Sequence, residues 1–186
     1  MGYTTDFKGC FFLNKPLDVS TEVLIDGLNR TRRMKRDCTK LGMTKKEADV
    51  YGIEGEFYIN GGGSCGQNKD ASILEYNCPP KTQAGLWCHW CYNKKNHCIE
   101  WDGGEKFYNY FDWIKYLVNK IFKPRGYILN GTVEWKGEDS DTDKGTITIK
   151  NNKVSISNEN YGGKMDYLLS LKIRHHIKTG TPFTFN

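Results

Sequence analysis

Long apolar runs are missing from this sequence. No window approaches the ~18 residues that cross a membrane, and the first residues, MGYTTDFKGCFF, contain no basic segment followed by an apolar one. Gly2 is followed by Asp6 at the position where a myristoylation signal has Ser or Thr. These absences predict that the protein has no membrane partner and lies in the cytoplasm or another intracellular reducing compartment.

A disulfide framework and a flexible linker are missing as well. The seven cysteines are odd in number and scattered along the chain, which in a reducing compartment favours free thiols or metal ligands. Since no repeat or low-complexity segment divides the sequence, we expect a single α+β domain over residues 1–158. Residues 159–186 form a C-terminal extension for which the pattern allows either a helix or a strand-like tail.

Hydrophobic residues are few, whereas aromatic residues are frequent. They make up 38% and 13% of the chain, so we expect large rings to supply much of the buried area. The net charge of +5 permits an acidic partner. Its densest source is the run RTRRMKRD at residues 30–37.

Hydrophobic periodicity predicts two helices among several strands. Asp18 or Ser20 is expected to cap a first helix that continues into the basic run. The strongest helical pattern is EKFYNYFDWIKYLVNKIFKP, which Pro124 is expected to end. Alternation predicts strands at residues 3–13, 52–60, 86–92, 97–101, 126–138, 145–150 and 153–157. The predicted fold class is therefore α+β, an antiparallel sheet of about six or seven strands with two helices packed on one face.

The stretch GLWCHWCYNKKNHCIEW, residues 85–101, is the richest in reactive side chains. Cys88, Cys91, His97 and Cys98 offer the thiolate and imidazole donors that zinc binds. However, a second cysteine pair at zinc-site spacing is missing, and Cys88 and Cys91 would point to opposite faces of a strand. The helix that activates a redox dithiol is missing too. The pattern therefore favours a structural hairpin without a cofactor, and zinc is kept as an alternative.

A glycine-rich loop follows the strand predicted at residues 52–60. Gly61, Gly63 and Gly66 match the letters of the dinucleotide-binding fingerprint, but no apolar helix begins at the last glycine. The loop is thus expected to make close backbone contacts or to be mobile. If a small ligand binds here, the side chains expected to contact it are Gln67, Asn68 and Asp70.

Basic and aromatic side chains together suggest a second candidate surface. Exposed rings on an antiparallel sheet beside cations are typical of proteins that bind RNA, single-stranded DNA or a nucleotide. The candidates are Arg32, Arg33, Lys35, Arg36, Lys94 and Lys95 for phosphate, and Trp87, Trp90, Trp101 and Trp135 for stacking. The alternative is that these rings fill the core and a protein contact. The alternation of the hairpin leaves open whether its Trp87 side or its Trp90 side faces away from the helix.

Several longer strings carry a family resemblance. They are GLWCHW, EWDGGEKFYNYFDWIKYL, FKPRGYILNGTVEWKGED, RTRRMKRD and GGGSCGQNKDAS. Through them the chain from Gly2 to Val154 resembles a family of small hypothetical proteins of bacterial and phage genomes. The family has no assigned activity, so the resemblance implies no catalytic or cofactor-binding residue.

No nucleophile, base and carboxylate stand together at a recognisable spacing, which argues against an enzyme. We expect a non-catalytic binding or regulatory protein, encoded by a virus or phage, that recognises a macromolecular partner, with a protein partner favoured. Its expected surface is the glycine-rich loop with the basic end of the first helix. The alternatives are binding of RNA, single-stranded DNA or a nucleotide, and a zinc-binding protein or metal-dependent enzyme.

Overall fold

The computed structural model describes residues 2–37, 39–42, 44, 64–80, 82–138 and 141–158. The strand predicted at residues 52–60, the glycines Gly61 and Gly63, and the C-terminal extension lie outside these ranges. The described elements are, in chain order, β1 (Thr5–Leu13), α1 (Val19–Arg30), β2 (Lys35–Arg36), β3 (Ile73–Glu75), β4 (Trp90–Asn93), β5 (Cys98–Trp101), α2 (Tyr110–Tyr116), β6 (Leu129–Gly137), β7 (Lys144–Lys150) and β8 (Lys153–Ile156).

Six strands form one antiparallel sheet in the order β4-β5-β1-β6-β7-β8. With the two helices, this sheet confirms the predicted α+β fold. The first strand of the sequence lies in the interior of the sheet, between β5 and β6. Two short strands, β2 and β3, pair separately in a ribbon that the sequence pattern did not predict.

The N-terminus of α1 is capped as the sequence predicts. Asp18 has an extended backbone, and its side chain accepts a hydrogen bond of 2.8 Å from the backbone N–H of Thr21. A second bond comes from far along the chain, because the Tyr127 hydroxyl donates to Asp18 over 2.7 Å. These bonds hold α1 against the segment that leads into β6.

Helix α2 is extended by two short segments of different helical geometry. It passes without a break into a π-helical stretch, Leu117–Phe122, and then into a 3-10 turn, Lys123–Arg125. Pro124 lies within this last turn, which directly follows the π-helical stretch, because proline cannot donate the next helical hydrogen bond. The helix therefore ends at Pro124 to within two residues, as expected, and Gly126 follows it with a φ of 74°.

Aromatic rings fill the space between the sheet and the helices. Trp90, Trp113 and Trp135 are buried, and the ring of Phe7 contacts those of Trp90 and Tyr110 at centroid distances of 5.4 Å and 4.8 Å. The indole N–H of Trp90 also donates to the Tyr110 carbonyl over 2.9 Å, joining the edge strand β4 to α2. The predicted aromatic core is confirmed, and the Trp90 side of the hairpin is the side that faces the helix.

Strands β1 and β6 approach closely at two glycines. Gly9 and Gly131 have φ values of +109° and +143°, which L-residues with a side chain rarely adopt. A Cβ atom on Gly9 would lie 2.5 Å from the Thr132 carbonyl oxygen, and one on Gly131 would lie 2.6 Å from that of Cys10. Each position therefore requires glycine. Within the described ranges, no helix is long and apolar enough to cross a membrane.

Candidate functional site

A pocket opens where the β4–β5 hairpin meets its flanking segments. Trp90 pairs with Trp101 at this end of the hairpin, so the chain that enters β4 and the chain that leaves β5 run side by side. The pocket between them has a volume of about 430 Å³. Its lining is mostly apolar with a few polar groups, as in ligand sites generally, and consists of Asn77, Pro79, Gly85, Leu86, Trp87, His89, Glu105, Lys106, Tyr108 and Asn109.

His89 lies in the wall of this pocket and is oriented by Asp102. Its Nδ1 atom is 3.1 Å and 3.2 Å from the two carboxylate oxygens of Asp102. The imidazole also packs edge-on against Phe107, with 5.1 Å between the ring centroids. Gly104 makes room for it, because a Cβ atom there would clash with the ring. The imidazole is therefore held in one orientation.

The carboxylate of Asp102 is itself anchored from three sides. Burial alone would raise its pKa, but hydrogen bonds from His89, the Gly104 backbone and Asn29 lower that pKa below its usual value. The bonds from Gly104 and Asn29 measure 2.7 Å and 2.6 Å. Asp102 is consequently ionised at neutral pH. Because Asn29 belongs to α1, this helix fixes the position of the pair.

The segment between β5 and α2 has an unusual backbone. Lys106 and Asn109 line the pocket with φ values of 60° and 55°, in the left-handed region that non-glycine residues seldom occupy. Asn109 is held there by its side-chain amide, which donates to the Ala84 carbonyl over 2.8 Å. Residues strained in this way cluster at functional sites, and here they form one wall of the pocket.

Two arginines of the basic run are buried and form hydrogen bonds inside the protein. Arg33 is 2% exposed and its Nε donates to Gln83 over 2.8 Å. Arg36 is 4% exposed and donates to Asp70 and Ser72, each over 2.7 Å. Neither guanidinium group is free to contact phosphate. The prediction that both bind nucleic acid is therefore wrong, because internal hydrogen bonds bury them.

The other two candidates of this run are half-buried. Arg32 lies over the rings of Tyr76 and Trp87, 4.8 Å and 5.6 Å from their centroids, and donates to Asn77 over 3.2 Å. It therefore supports one wall of the pocket. The backbone N–H of Lys35 donates to the Cys78 carbonyl, 3.0 Å away. Arg32 and Lys35 thus connect the basic run to residues 76–78.

The four candidate tryptophans do not form one exposed row. Trp90 and Trp135 are buried, with exposed fractions of 0% and 2%, so neither can stack on a base and both predictions are wrong. Trp101 is half-buried, and its indole N–H donates to the Gly104 carbonyl over 3.1 Å. Trp87 is half-buried and lines the pocket. The packing of the hairpin on α2 removes the Trp90 side from the surface.

The two lysines of the hairpin turn lie apart from these groups. Lys94 and Lys95 are exposed, at the opposite end of the hairpin from the pocket. The ammonium group of Lys94 is 3.1 Å from both carboxylate oxygens of Glu22. The structure therefore does not bring these lysines together with Trp87 or with the basic run.

The four zinc candidates are dispersed. Burial raises the pKa of the Cys88 thiol to about 12 and that of Cys91 to about 11, whereas a zinc ligand must be a thiolate. Burial is also the main cause that raises the pKa of Cys98 to about 12. His97 is 3.1 Å from the Tyr92 hydroxyl. Among the residues that the structure describes, no three His, Cys, Asp or Glu side chains are grouped to hold a metal ion.

The described part of the glycine-rich loop is anchored internally. The carbonyl of Gly66 accepts from Arg36 over 3.3 Å. Asp70 accepts from Ser72 and from Arg36, and these two bonds lower the pKa of its carboxyl group to about 2. Asp70 and Asn68 are exposed, and Gln67 is half-buried. The prediction that these three side chains contact a small ligand stays a prediction.

Sequence reasoning missed the pairing of His89 with Asp102. Thirteen positions separate them, and no local motif joins them. The available signal was the hairpin itself: once Trp90 is paired with Trp101, continuing the antiparallel register by one residue places His89 opposite Asp102. The backbone bond of 3.0 Å from Asp102 to the His89 carbonyl shows this continuation.

Comparison with protein-family models, with curated proteins and with solved structures finds no match to this chain. The resemblance to small proteins of bacterial and phage genomes therefore stays a prediction.

Proposed function

We propose that this protein is a non-catalytic binding protein, encoded by a virus or phage, that recognises a partner protein through the pocket beside Trp87 and His89. The observation that carries the proposal is the pocket itself, a cavity of about 430 Å³ with mostly apolar walls. Protein interfaces often depend on one large side chain that fills such a pocket, surrounded by polar contacts. Here Glu105 and Lys106 are exposed and lie among the lining residues, and they supply polar contacts of both signs.

The charges near the pocket favour a protein over a nucleic acid. Arg33 and Arg36 are buried in internal hydrogen bonds, and Lys94 is paired with Glu22 at the other end of the hairpin. Nucleic acids bind through several phosphate contacts that act together. Among the described residues that line the pocket, Lys106 is the one lysine or arginine, and the carboxylate of Glu105 precedes it in the sequence.

Affinity capture from the native cell tests this proposal. The bait is the full chain, compared with Glu105→Arg at the pocket and with Glu138→Arg as the matched control. Both glutamates are exposed, but Glu138 follows β6 and is not part of the pocket lining. We expect the wild-type chain and Glu138→Arg to retain the same proteins and Glu105→Arg to lose them. Equal capture by all three baits, or no specific protein with the wild-type chain, would contradict the proposal.

Nucleotide binding is the second candidate because Trp87 and Lys106 line the same pocket. An indole ring can stack on a base while an ammonium group contacts phosphate. This candidate predicts quenching of tryptophan fluorescence by a mixed oligonucleotide pool, and a binding constant that falls steeply as salt increases. Binding that is absent or independent of salt would exclude it.

A further inference from the structure

One ring nitrogen of His89 has a fixed hydrogen-bonding role. Because Asp102 is ionised at neutral pH, its carboxylate can only accept hydrogen bonds. Whenever the imidazole is neutral, its hydrogen is therefore on Nδ1, which is 3.1 Å from the carboxylate. The other nitrogen, Nε2, then has a free lone pair. The hydrogen bonds to Asp102 are made at Nδ1, so the neutral ring presents Nε2 as one oriented acceptor in the pocket wall.

The neutral polar side chains that line the pocket already have partners. The Tyr108 hydroxyl accepts from the Tyr3 backbone, and the Asn109 amide donates to the Ala84 carbonyl. The side-chain oxygen of Asn77 accepts from Arg32. Nε2 of His89 differs from these groups because it is an acceptor on a ring that is held in one orientation.

We infer that the group that fills this pocket is the phenol ring of a tyrosine side chain of the partner protein, whose hydroxyl donates a hydrogen bond to Nε2 of His89. This inference rests on the function proposed above and specifies the chemistry of the partner. A phenol combines an apolar ring with one donor, which matches mostly apolar walls with one oriented acceptor. Phenylalanine would leave that acceptor without a partner.

The depth of His89 favours tyrosine over other rings with a donor. The His89 side chain is only 17% exposed, whereas Glu105 and Lys106 are exposed. A phenol has its O–H group at the tip of the ring, opposite the stem, so it reaches an acceptor deep in a pocket. An indole has its N–H group on the side of the ring. A nucleobase has several polar atoms around its edge, which would lie against the mostly apolar walls.

Small-ring probes test the inference on the intact chain. p-Cresol and 4-methylanisole have the same ring, but only p-cresol has a hydroxyl donor. In NMR titrations of the ¹⁵N-labelled protein, p-cresol should shift the amide signals of Leu86 and Trp87 with a dissociation constant of about 1 mM. We expect 4-methylanisole to bind about tenfold more weakly, the typical effect of one hydrogen bond. Equal affinity for the two probes would overturn the inference.

Two substitutions at His89 assign the effect to Nε2. His89→Asn keeps a donor for Asp102 but has no group near Nε2, whereas His89→Gln has an amide oxygen that can accept there. We expect p-cresol and 4-methylanisole to bind His89→Asn equally, and the preference for p-cresol to return in His89→Gln. A preference that persists in His89→Asn would contradict the role of His89. Unchanged signals outside the pocket serve as the folding control.

Competition experiments separate tyrosine from the other ring classes. N-acetyltyrosinamide should displace p-cresol at a lower concentration than N-acetylphenylalaninamide, N-acetyltryptophanamide or adenosine. Stronger displacement by adenosine would overturn the inference in favour of a nucleotide. If Glu105→Arg loses the partner but the probes show no hydroxyl preference, the tyrosine inference fails and the proposed function stands. If the probes show a hydroxyl preference but no protein is captured, the result supports a pocket that prefers a phenol and contradicts the proposal that its ligand is a partner protein.

Discussion

At the scale of the residue, the buried arginines change the meaning of the basic run. The letters RTRRMKRD suggest a surface for an acidic partner, yet Arg33 and Arg36 are almost fully buried. Arg36 donates to three positions of one loop, Asp70, Ser72 and the Gly66 carbonyl. Local sequence cannot reveal this role, because these acceptors are 30 or more positions away.

Replacing Arg36 by alanine should therefore destabilise the protein. We expect a loss of about 2 kcal/mol in the free energy of unfolding, below the full cost of breaking a buried pair because Asp70 is 41% exposed and screened by water. Urea denaturation measures this loss. Arg30→Ala is the matched control, since the Arg30 and Asp26 side chains are 75% and 56% exposed, and its effect should stay within about 0.5 kcal/mol. Equal effects of the two substitutions would contradict the structural role of Arg36.

At the scale of the element, α1 shows which features local sequence can predict. The cap by Asp18 was predictable, because an N-cap bond joins residues three positions apart. The hydroxyl of Tyr127, 109 positions away, was not predictable. Helix α2 shows the same division: its apolar spacing predicted the helix, but not the change to π-helical and then 3-10 geometry over Leu117–Phe122 and Lys123–Arg125.

Removal of the cap should weaken α1. Asp18→Ala deletes the acceptor for both Thr21 and Tyr127, and we expect it to lower the free energy of unfolding by about 1–2 kcal/mol. Asp18→Asn is the control, because asparagine caps helices about as well as aspartate and keeps an acceptor oxygen. Urea denaturation should place Asp18→Asn closer to the wild type. A loss as large as that of Asp18→Ala would mean that the charge, rather than the cap, is what matters.

At the scale of the whole molecule, three hydrogen-bonded carboxylates connect separate parts of the chain. Asp18 joins α1 to the segment before β6, Asp70 joins its loop to β2, and Asp102 joins the hairpin to α1. Hydrogen bonds lower the pKa of each of them, led by Tyr127 at Asp18 and by Ser72 at Asp70. At Asp102 the bonds from His89, Gly104 and Asn29 outweigh burial.

These lowered pKa values predict loss of stability in acid. In the unfolded chain Asp70 titrates near 3.8, and in the folded protein near 2. Between these values the unfolded state binds more protons than the folded state. The contribution of the ionised Asp70 to the free energy of unfolding is therefore present above pH 3.8 and is lost as the pH falls towards 2. Urea denaturation at about pH 6 and about pH 3 should show lower stability at the acidic pH. Asp70→Asn should reduce this difference, and unchanged stability of the wild type at the acidic pH would contradict the prediction.

The sequence by itself determined the fold class, the core composition and the helix cap. These features depend on periodicity and on bonds between neighbours, which local letters record. The tertiary structure alone decided which charges and rings face solvent: it buried Arg36 and Trp90, left Trp87 in a pocket wall and set His89 against Asp102. Burial and pairing across distant segments depend on how strands align and helices pack, and a linear pattern does not contain that information.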